Sequence, residues 1–136
     1  MQRQTEIAAQ QADIEQTRLR AELYDRRVTI YAGIDQYLAE SSMTEGEVKN
    51  EVREGLFKSL AVARFILGED VEKIAREIHS VSMQLRSVSR RIERLHDHQN
   101  AERSGLFDKQ DTLNDKLEEL QSRLRETKER YLRLSS

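Results

Sequence analysis

The sequence contains no cysteine, no proline and no tryptophan, and only five of its 136 residues are glycine. The lack of cysteine excludes disulfides, thiol nucleophiles and thiolate metal sites, and it fits a reducing compartment. Because proline is lacking, every backbone N–H can join a helical hydrogen bond and long unbroken helices can form. Charged residues make up 35% of the chain and hydrophobic residues 37%. This composition predicts one helical domain over residues 1–136, with a thin core and a large polar surface.

Neither sign of charge dominates, and no long apolar run is present. The net charge is −2, so no overall field would draw the chain to nucleic acid. The best apolar segment, residues 60–67, contains Arg64 and is far shorter than the ~18 residues that span a membrane. The N-terminus is polar and rich in glutamine, unlike a signal peptide. We therefore expect a cytoplasmic chain, or one at the cytoplasmic face of a membrane if a native N-terminal anchor exists.

Apolar residues recur at helical spacing in the second half of the chain, in two ladders. The first ladder consists of Val71, Ile74, Ile78, Val81, Leu85, Val88, Ile92 and Leu95. The second consists of Leu106, Leu113, Leu117, Leu120, Leu124, Tyr131 and Leu134. The first ladder has alternating gaps of three and four, a mean repeat of about 3.5, which predicts a helix that packs as in a coiled coil.

Residues 96–105 interrupt the repeat between the ladders. Gln99 and Glu102 stand where apolar residues are expected, and Asn100 and Gly105 suit a chain reversal or a helix end. Two alternatives are open: a loop that joins antiparallel helices, which we favour, or a polar interval in one helix of about 60 residues. The predicted fold class is all-α, a long-helix bundle with an antiparallel coiled-coil hairpin.

Serine, glycine and capping residues divide the chain into predicted helices. Their approximate ranges are 4–40, 45–67, 70–96 and 101–134. Thr44 and Glu47 predict a capping box at the start of the second helix, and Gly68 predicts a left-handed cap at its end.

The first predicted helix is much longer than the second, so residues 1–18 should project from the bundle as a glutamine-rich helical extension. Ile7, Ile14 and Ala21 recur along this helix at sevenfold spacing and are candidate interaction residues. A stripe that no other helix of the chain covers predicts self-association, with a dimer favoured over other homo-oligomers.

A polar and aromatic stretch in the middle of the first helix contains Asp25, Arg26 and Arg27. Two alternatives are open for these candidate interaction residues. They form an ion-pair network where the helix enters the bundle, which we favour, or they form an exposed contact surface.

A basic stretch lies in the third predicted helix. Its candidate interaction residues are Arg86, Arg90, Arg91 and Arg94. We expect them to pair with acidic residues of another helix. Nucleic-acid binding is the less favoured alternative, since no stacking aromatic residue accompanies them.

His96, Asp97 and His98 form the only cluster with metal-ligand character. Side chains at i and i+2 diverge on a helix, so the cluster predicts a solvated loop and no metal site. The sequence has no glycine-rich phosphate loop, no Ser/His/Asp constellation and no HExxH pattern. We expect no enzymatic activity and no cofactor.

Three segments carry a resemblance to a loose group of uncharacterised small bacterial helical proteins. The segments are LYDRR with a following tyrosine (23–31), ARFILGEDV (63–71) and YLRL (131–134). Members of the group often have one N-terminal transmembrane helix followed by a glutamine-rich helical stretch. The resemblance implies no activity or site residue, and it leaves two alternatives for the N-terminus. Either Met1 stands in place of a membrane anchor and the glutamine-rich helix is a stalk, or this member lacks the anchor.

The leading functional hypothesis is a structural or protein–protein interaction module that acts through helix surfaces. Its protein partner is unknown, and a membrane would be reached only through an anchor that this chain does not contain. The alternative hypothesis is a small regulatory helical protein that binds nucleic acid through residues 86–94.

Overall fold

The computed structural model describes residues 2–96 and 98–135, without the side chains of Leu134 and Ser135. These residues form four α-helices and no strand, and the all-α prediction is confirmed. The helices are α1 (Gln2–Thr44), α2 (Asn50–Ile66), α3 (Glu69–Arg94) and α4 (Asn100–Ser135). The predicted ends of α3 and α4 agree with the structure within two residues, whereas α1 ends later than predicted and α2 begins later.

Helices α3 and α4 form an antiparallel hairpin. The side-chain hydrogen bonds that align them join Arg103 to Leu95 O, Gln110 to Ser89, Arg123 to Glu77 and Tyr131 to Asp70. In these four pairs the residue number on the α4 side rises from 103 to 131 while the residue number on the α3 side falls from 95 to 70, as it must for antiparallel helices. The loop alternative for residues 96–105 is therefore correct, although the connection is shorter than that range because α4 already begins at Asn100.

The C-terminal half of α1 packs on this hairpin. Tyr31 Oη donates to Thr127 Oγ1 of α4 at 3.0 Å, and Ser41 Oγ lies 2.7 Å from Ser82 Oγ of α3. Helix α2 returns alongside α1 and completes the bundle. Successive helices therefore alternate in direction, as expected for neighbours joined by short connections.

All four helices contribute to one apolar core. Its most deeply buried large apolar residues are Tyr31, Ile34, Tyr37, Leu56, Val71, Ile78, Leu85, Leu117, Leu120 and Leu124. The first ladder is buried from Val71 to Val88, while Ile92 and Leu95 near the hairpin tip are partly buried. In the second ladder, Tyr131 is partly buried and Leu134 lies outside the described side chains.

The predicted capping box at Thr44 and Glu47 is wrong. Thr44 belongs to α1, where its hydroxyl donates to Glu40 O at 2.7 Å, and Glu47 lies in the five-residue loop before α2. Helix α1 ends at Thr44. The next two residues, Glu45 and Gly46, have φ angles of 55° and 87°, which lie in the left-handed region. A Cβ on Gly46 would also collide with the backbone of α3 at Ser82 O. The loop is thus held against α3, and α2 begins five residues later than predicted.

Gly68 occupies the corner between α2 and α3, but it is not the predicted left-handed cap. Its φ of 179° is extended backbone that any residue adopts. A Cβ at this position would collide with the Tyr131 hydroxyl of α4 and with Asp70 Oδ1, so any larger residue needs these two side chains to shift. A contact from the far end of the chain, which no local pattern contains, restricts this residue.

Candidate interaction surfaces

The N-terminal part of α1 has no packing partner within the described chain. Residues 2–22 are all exposed, and we call this segment the arm. At 1.5 Å per residue the arm is about 32 Å long. Ile7 and Ile14 are 51% and 68% exposed, and Ala21 is exposed as well. Because residues seven apart lie on nearly the same side of a helix, these three side chains form one apolar stripe.

The arm leaves the bundle beside a cluster built around Tyr131 of α4. This Tyr131 cluster comprises Arg27, Gly68, Asp70, Arg130 and Tyr131. Arg27 donates to Ile66 O at 3.0 Å and to Tyr131 O at 2.9 Å, and its guanidinium carbon lies 5.6 Å from the centre of the Tyr131 ring. The three segments that carry the family resemblance therefore meet at this end of the bundle.

Asp70 is the acidic residue of the Tyr131 cluster, and both Tyr131 and Arg130 donate hydrogen bonds to its carboxylate. Its Oδ1 accepts from Tyr131 Oη at 2.9 Å and from Val71 N at 3.0 Å, and Arg130 pairs with Oδ2. Partial burial alone would raise the pKa of the Asp70 carboxyl, but these hydrogen bonds and the Arg130 charge hold the pKa below its ordinary value. The start of α3 is thereby attached to the last turns of α4, and both flank the point where α1 enters.

Asp25 and Arg26 are exposed and line a groove between α1 and α2. The groove has a volume of about 390 Å³, and its apolar lining includes Ile30, Val62 and Ile66. A second cavity of about 260 Å³ shares Ile30 and Val62 and extends the groove along the two helices. The three candidate interaction residues of this stretch therefore differ in their surroundings. Arg27 contacts α2 and α4 within the bundle, whereas Asp25 and Arg26 are exposed to solvent.

Three of the four arginines of the basic stretch, Arg86, Arg90 and Arg91, pair with carboxylates of the same chain. Glu47 Oε1 and Oε2 accept from Arg90 at 2.6 and 3.2 Å, and Arg86 Nε lies 3.5 Å from the same carboxylate. Arg91 lies 3.8 Å from Glu102 of α4. The hydrogen bonds from Arg90 lower the pKa of Glu47, with further lowering by the nearby arginine charges. These carboxylates offset part of the positive charge that a phosphate backbone would meet.

The same arginines, with Met83, Ser87 and Arg94, border an open concavity of about 350 Å³ along the exposed side of α3. Its lining is mostly cationic and comes from one helix. The concavity therefore offers a positively charged surface.

The histidines of the hairpin loop stack on one another. The centroids of the His96 and His98 rings are 5.7 Å apart, and the ring planes are nearly parallel, at 4°. Asp97, the third residue of that cluster, lies outside the described residues. Within residues 2–96 and 98–135, no group of three or more potential ligands is arranged to hold a metal ion.

Sequence reasoning missed the exposed phenylalanines. All three are at least 45% exposed, and Phe65 at the end of α2 is 83% exposed. A usable signal was present, because Phe57 and Phe65 fall outside the buried apolar stripe of α2, which consists of Val52, Leu56, Leu60 and Ala63. An aromatic residue off the buried stripe of an amphipathic helix indicates a second surface.

Comparison with family models, curated proteins and solved structures found no match to this chain. The resemblance to small bacterial helical proteins therefore stays a prediction. None of the helices in the described part of the chain has the length and apolar content needed to cross a membrane.

Proposed function

We propose that this protein is a structural or protein–protein interaction module that acts through helix surfaces, with the arm as its main contact. The single observation that supports this proposal is the exposed stripe of Ile7, Ile14 and Ala21 on the arm, which no other described helix covers. Burial of each isoleucine against a partner would contribute about 1.5–3 kcal/mol.

The bundle supplies a base for the arm. Helix α1 continues without a break from the buried Ile34 and Tyr37 into the arm. The arm therefore needs no nucleation of its own and extends by adding residues to an existing helix. The Tyr131 cluster holds α1 at the point of exit, which fixes the direction in which the stripe is presented.

Self-association, most simply as a dimer, is the form of contact that we propose. A second copy offers an identical apolar stripe, and homo-oligomers with closed symmetry are the commonest assemblies. A membrane tether enters this proposal only through the family resemblance and a native N-terminal anchor. The nucleic-acid alternative is not favoured, because Glu47 and Glu102 already pair with arginines of residues 86–94.

Light scattering on two matched variants tests the proposal. Ile14→Glu places a charge in the stripe, whereas Ala12→Glu places the same charge on the opposite, exposed side of the arm. We expect the wild-type chain and Ala12→Glu to scatter as dimers, and Ile14→Glu to approach the 15.9 kDa of one chain. A wild-type chain that stays monomeric at high concentration would contradict self-association through the arm.

A further inference from the structure

We infer that two arms associate in parallel and in register, so that each residue of the stripe faces the same residue of a second copy. This inference rests on the proposed self-association and assigns its geometry. With Ile7, Ile14 and Ala21 at position a of a heptad, the g positions hold Glu6, Asp13 and Arg20, and the matching e positions hold Gln11, Arg18 and Asp25. Glu6 would face the neutral Gln11, whereas the four residues Asp13, Arg18, Arg20 and Asp25 are all charged and exposed.

The charges at these flanking positions are complementary for parallel strands. In a parallel two-stranded coiled coil, a g residue faces the e residue five positions later on the other strand. Asp13 of one copy then faces Arg18 of the second copy, and Arg20 faces Asp25. Because a two-fold axis relates the two copies, each of these ion pairs occurs twice in the dimer. Residues five apart do not meet on one helix, so these complementary signs are not explained by contacts within a single arm.

Arg18 also pairs with Glu15 of its own arm. A guanidinium carries five N–H donors in a fork, so Arg18 can bond Glu15 and a carboxylate of the second copy together. The Arg18–Glu15 pair therefore does not prevent Arg18 from pairing with Asp13 of the second copy.

The core positions also favour the parallel arrangement. Parallel strands form layers of a residues and separate layers of d residues, so Ile7 and Ile14 each meet an identical isoleucine. Antiparallel strands would set these isoleucines against the d positions, which include Gln10 and Thr17.

The structure shows where the pairing ends. Tyr24 and Val28, the next d and a residues, are each 38% exposed, and from Ile30 onward α1 is committed to its own core. The paired segment therefore covers the arm, continues to Asp25 and stops where α1 enters the bundle. Both bundles of the dimer would lie at the same end of the paired arms, with the two N-termini together at the other.

Cysteine cross-linking provides the test, because the chain has no cysteine of its own. Ile7→Cys, Ile14→Cys and Ala21→Cys are oxidised separately, with Ala12→Cys on the opposite side of the arm as the control. We expect disulfide-linked dimers from all three stripe variants and little from the control, since every a position faces its own copy. In an antiparallel dimer at most one of the three positions lies at the two-fold axis and cross-links.

The outcomes separate this inference from the proposal on which it rests. Cross-linking at one stripe position only, in a chain that light scattering shows to be a dimer, overturns the parallel register and leaves self-association standing. Cross-linking at none of them in a dimeric chain overturns both the register and the arm as the contact. A monomeric chain overturns self-association and the inference together.

Charge reversal gives a second readout that does not depend on new cysteines. Arg20→Glu and Asp25→Arg each remove the predicted pair and should weaken dimerisation by a factor of about five, whereas the double variant should restore it. Single variants with no effect, or a double variant as weak as the singles, would count against the pairing of these positions.

Discussion

Gly33 sets how closely α1 and α2 can approach. A Cβ on this residue would lie 2.5 Å from Ser59 Oγ and 3.2 Å from the backbone oxygen of Gly55, and the oxygen cannot rotate away. A Cβ on Gly55 itself would meet nothing within 4 Å. The two glycines at this helix crossing therefore differ. A side chain at Gly33 would crowd α2, whereas a side chain at Gly55 has room, so Gly55 only weakens the interior of α2.

Alanine substitution should separate the two glycines. Gly33→Ala is expected to lower the free energy of unfolding by about 1–3 kcal/mol, because the added methyl group forces the helices apart. Gly55→Ala should raise it by about 0.5–1 kcal/mol, since alanine favours the helix and has room. Urea unfolding followed by circular dichroism measures both, and Gly105→Ala, also in open space within α4, is the control. Stabilisation by Gly33→Ala would show that the crossing is looser than described.

At the scale of the element, Arg27 connects the ends of two helices. Ile66 is the last residue of α2, so its carbonyl has no partner within the helix, and Arg27 supplies a charged donor to it. The second bond of Arg27 reaches Tyr131 O, near the end of α4. A cation at the C-terminal ends of two helices also interacts favourably with both helix dipoles.

Loss of this connection should destabilise the bundle measurably. Arg27→Gln is expected to lower the free energy of unfolding by about 1.5–3 kcal/mol, the usual contribution of hydrogen bonds from a charged group. The adjacent Arg26 is exposed, so Arg26→Gln should change the same quantity by less than about 0.5 kcal/mol. Thermal and urea unfolding compare the two variants. Equal effects of both substitutions would mean that the bonds to Ile66 O and Tyr131 O contribute nothing net.

The helices themselves were largely predictable, because their apolar residues repeat at a helical period. The first ladder lies within α3 from Val71 to Ile92, and its last residue, Leu95, follows the end of the helix. The loop at 45–49 was not predictable from local pattern. Thr44 and Glu47 have the spacing of a capping box, but Arg86 and Arg90, about 40 positions away, engage the Glu47 carboxylate.

The candidate surfaces were predictable to a smaller extent. The sevenfold spacing of Ile7 and Ile14 identified the exposed stripe, because a helix longer than its neighbours must project. The Tyr131 cluster was not predictable, since Arg27 and Tyr131 are separated by 104 positions, and the spacing that places Tyr131 on the second ladder does not indicate which residue of α1 contacts it. Contacts of this range depend on how helices pack, and the period of one helix does not encode them.

At the scale of the whole molecule, His79 of α3 lies where three helices meet. Its ring is 5.9 Å from the ring of Tyr37 on α1 and 5.2 Å from the ring of Phe57 on α2. Burial lowers the pKa of His79 below its ordinary value of 6.5, and the charge of Arg53 on α2 lowers the pKa further. Protonation of His79 would place a positive charge among these rings and beside another cation.

This arrangement predicts a pH dependence of the stability of the entire bundle. In the unfolded chain His79 binds a proton near pH 6.5, whereas in the folded chain it binds one only at a lower pH, so the unfolded state takes up more protons between the two values. The contribution of His79 to stability should therefore be constant above about pH 7 and be lost as the pH drops from about 6.5 toward the folded pKa. The lowered pKa of Asp70 acts only in a more acidic window, as the pH falls below its ordinary value of 3.8.

Urea unfolding at about pH 7.5 and about pH 5.5 measures this loss of stability. The loss arises from His79, because its pKa differs between the folded and the unfolded state. His79→Gln should remove the difference between the two conditions, whatever its effect on stability at neutral pH. His98→Gln, in the exposed hairpin loop, should retain it. If the wild-type chain were equally stable at both pH values, the junction of α1, α2 and α3 would have to admit enough water to solvate the imidazolium. The close contacts of His79 with Tyr37 and Phe57 would then not persist in solution.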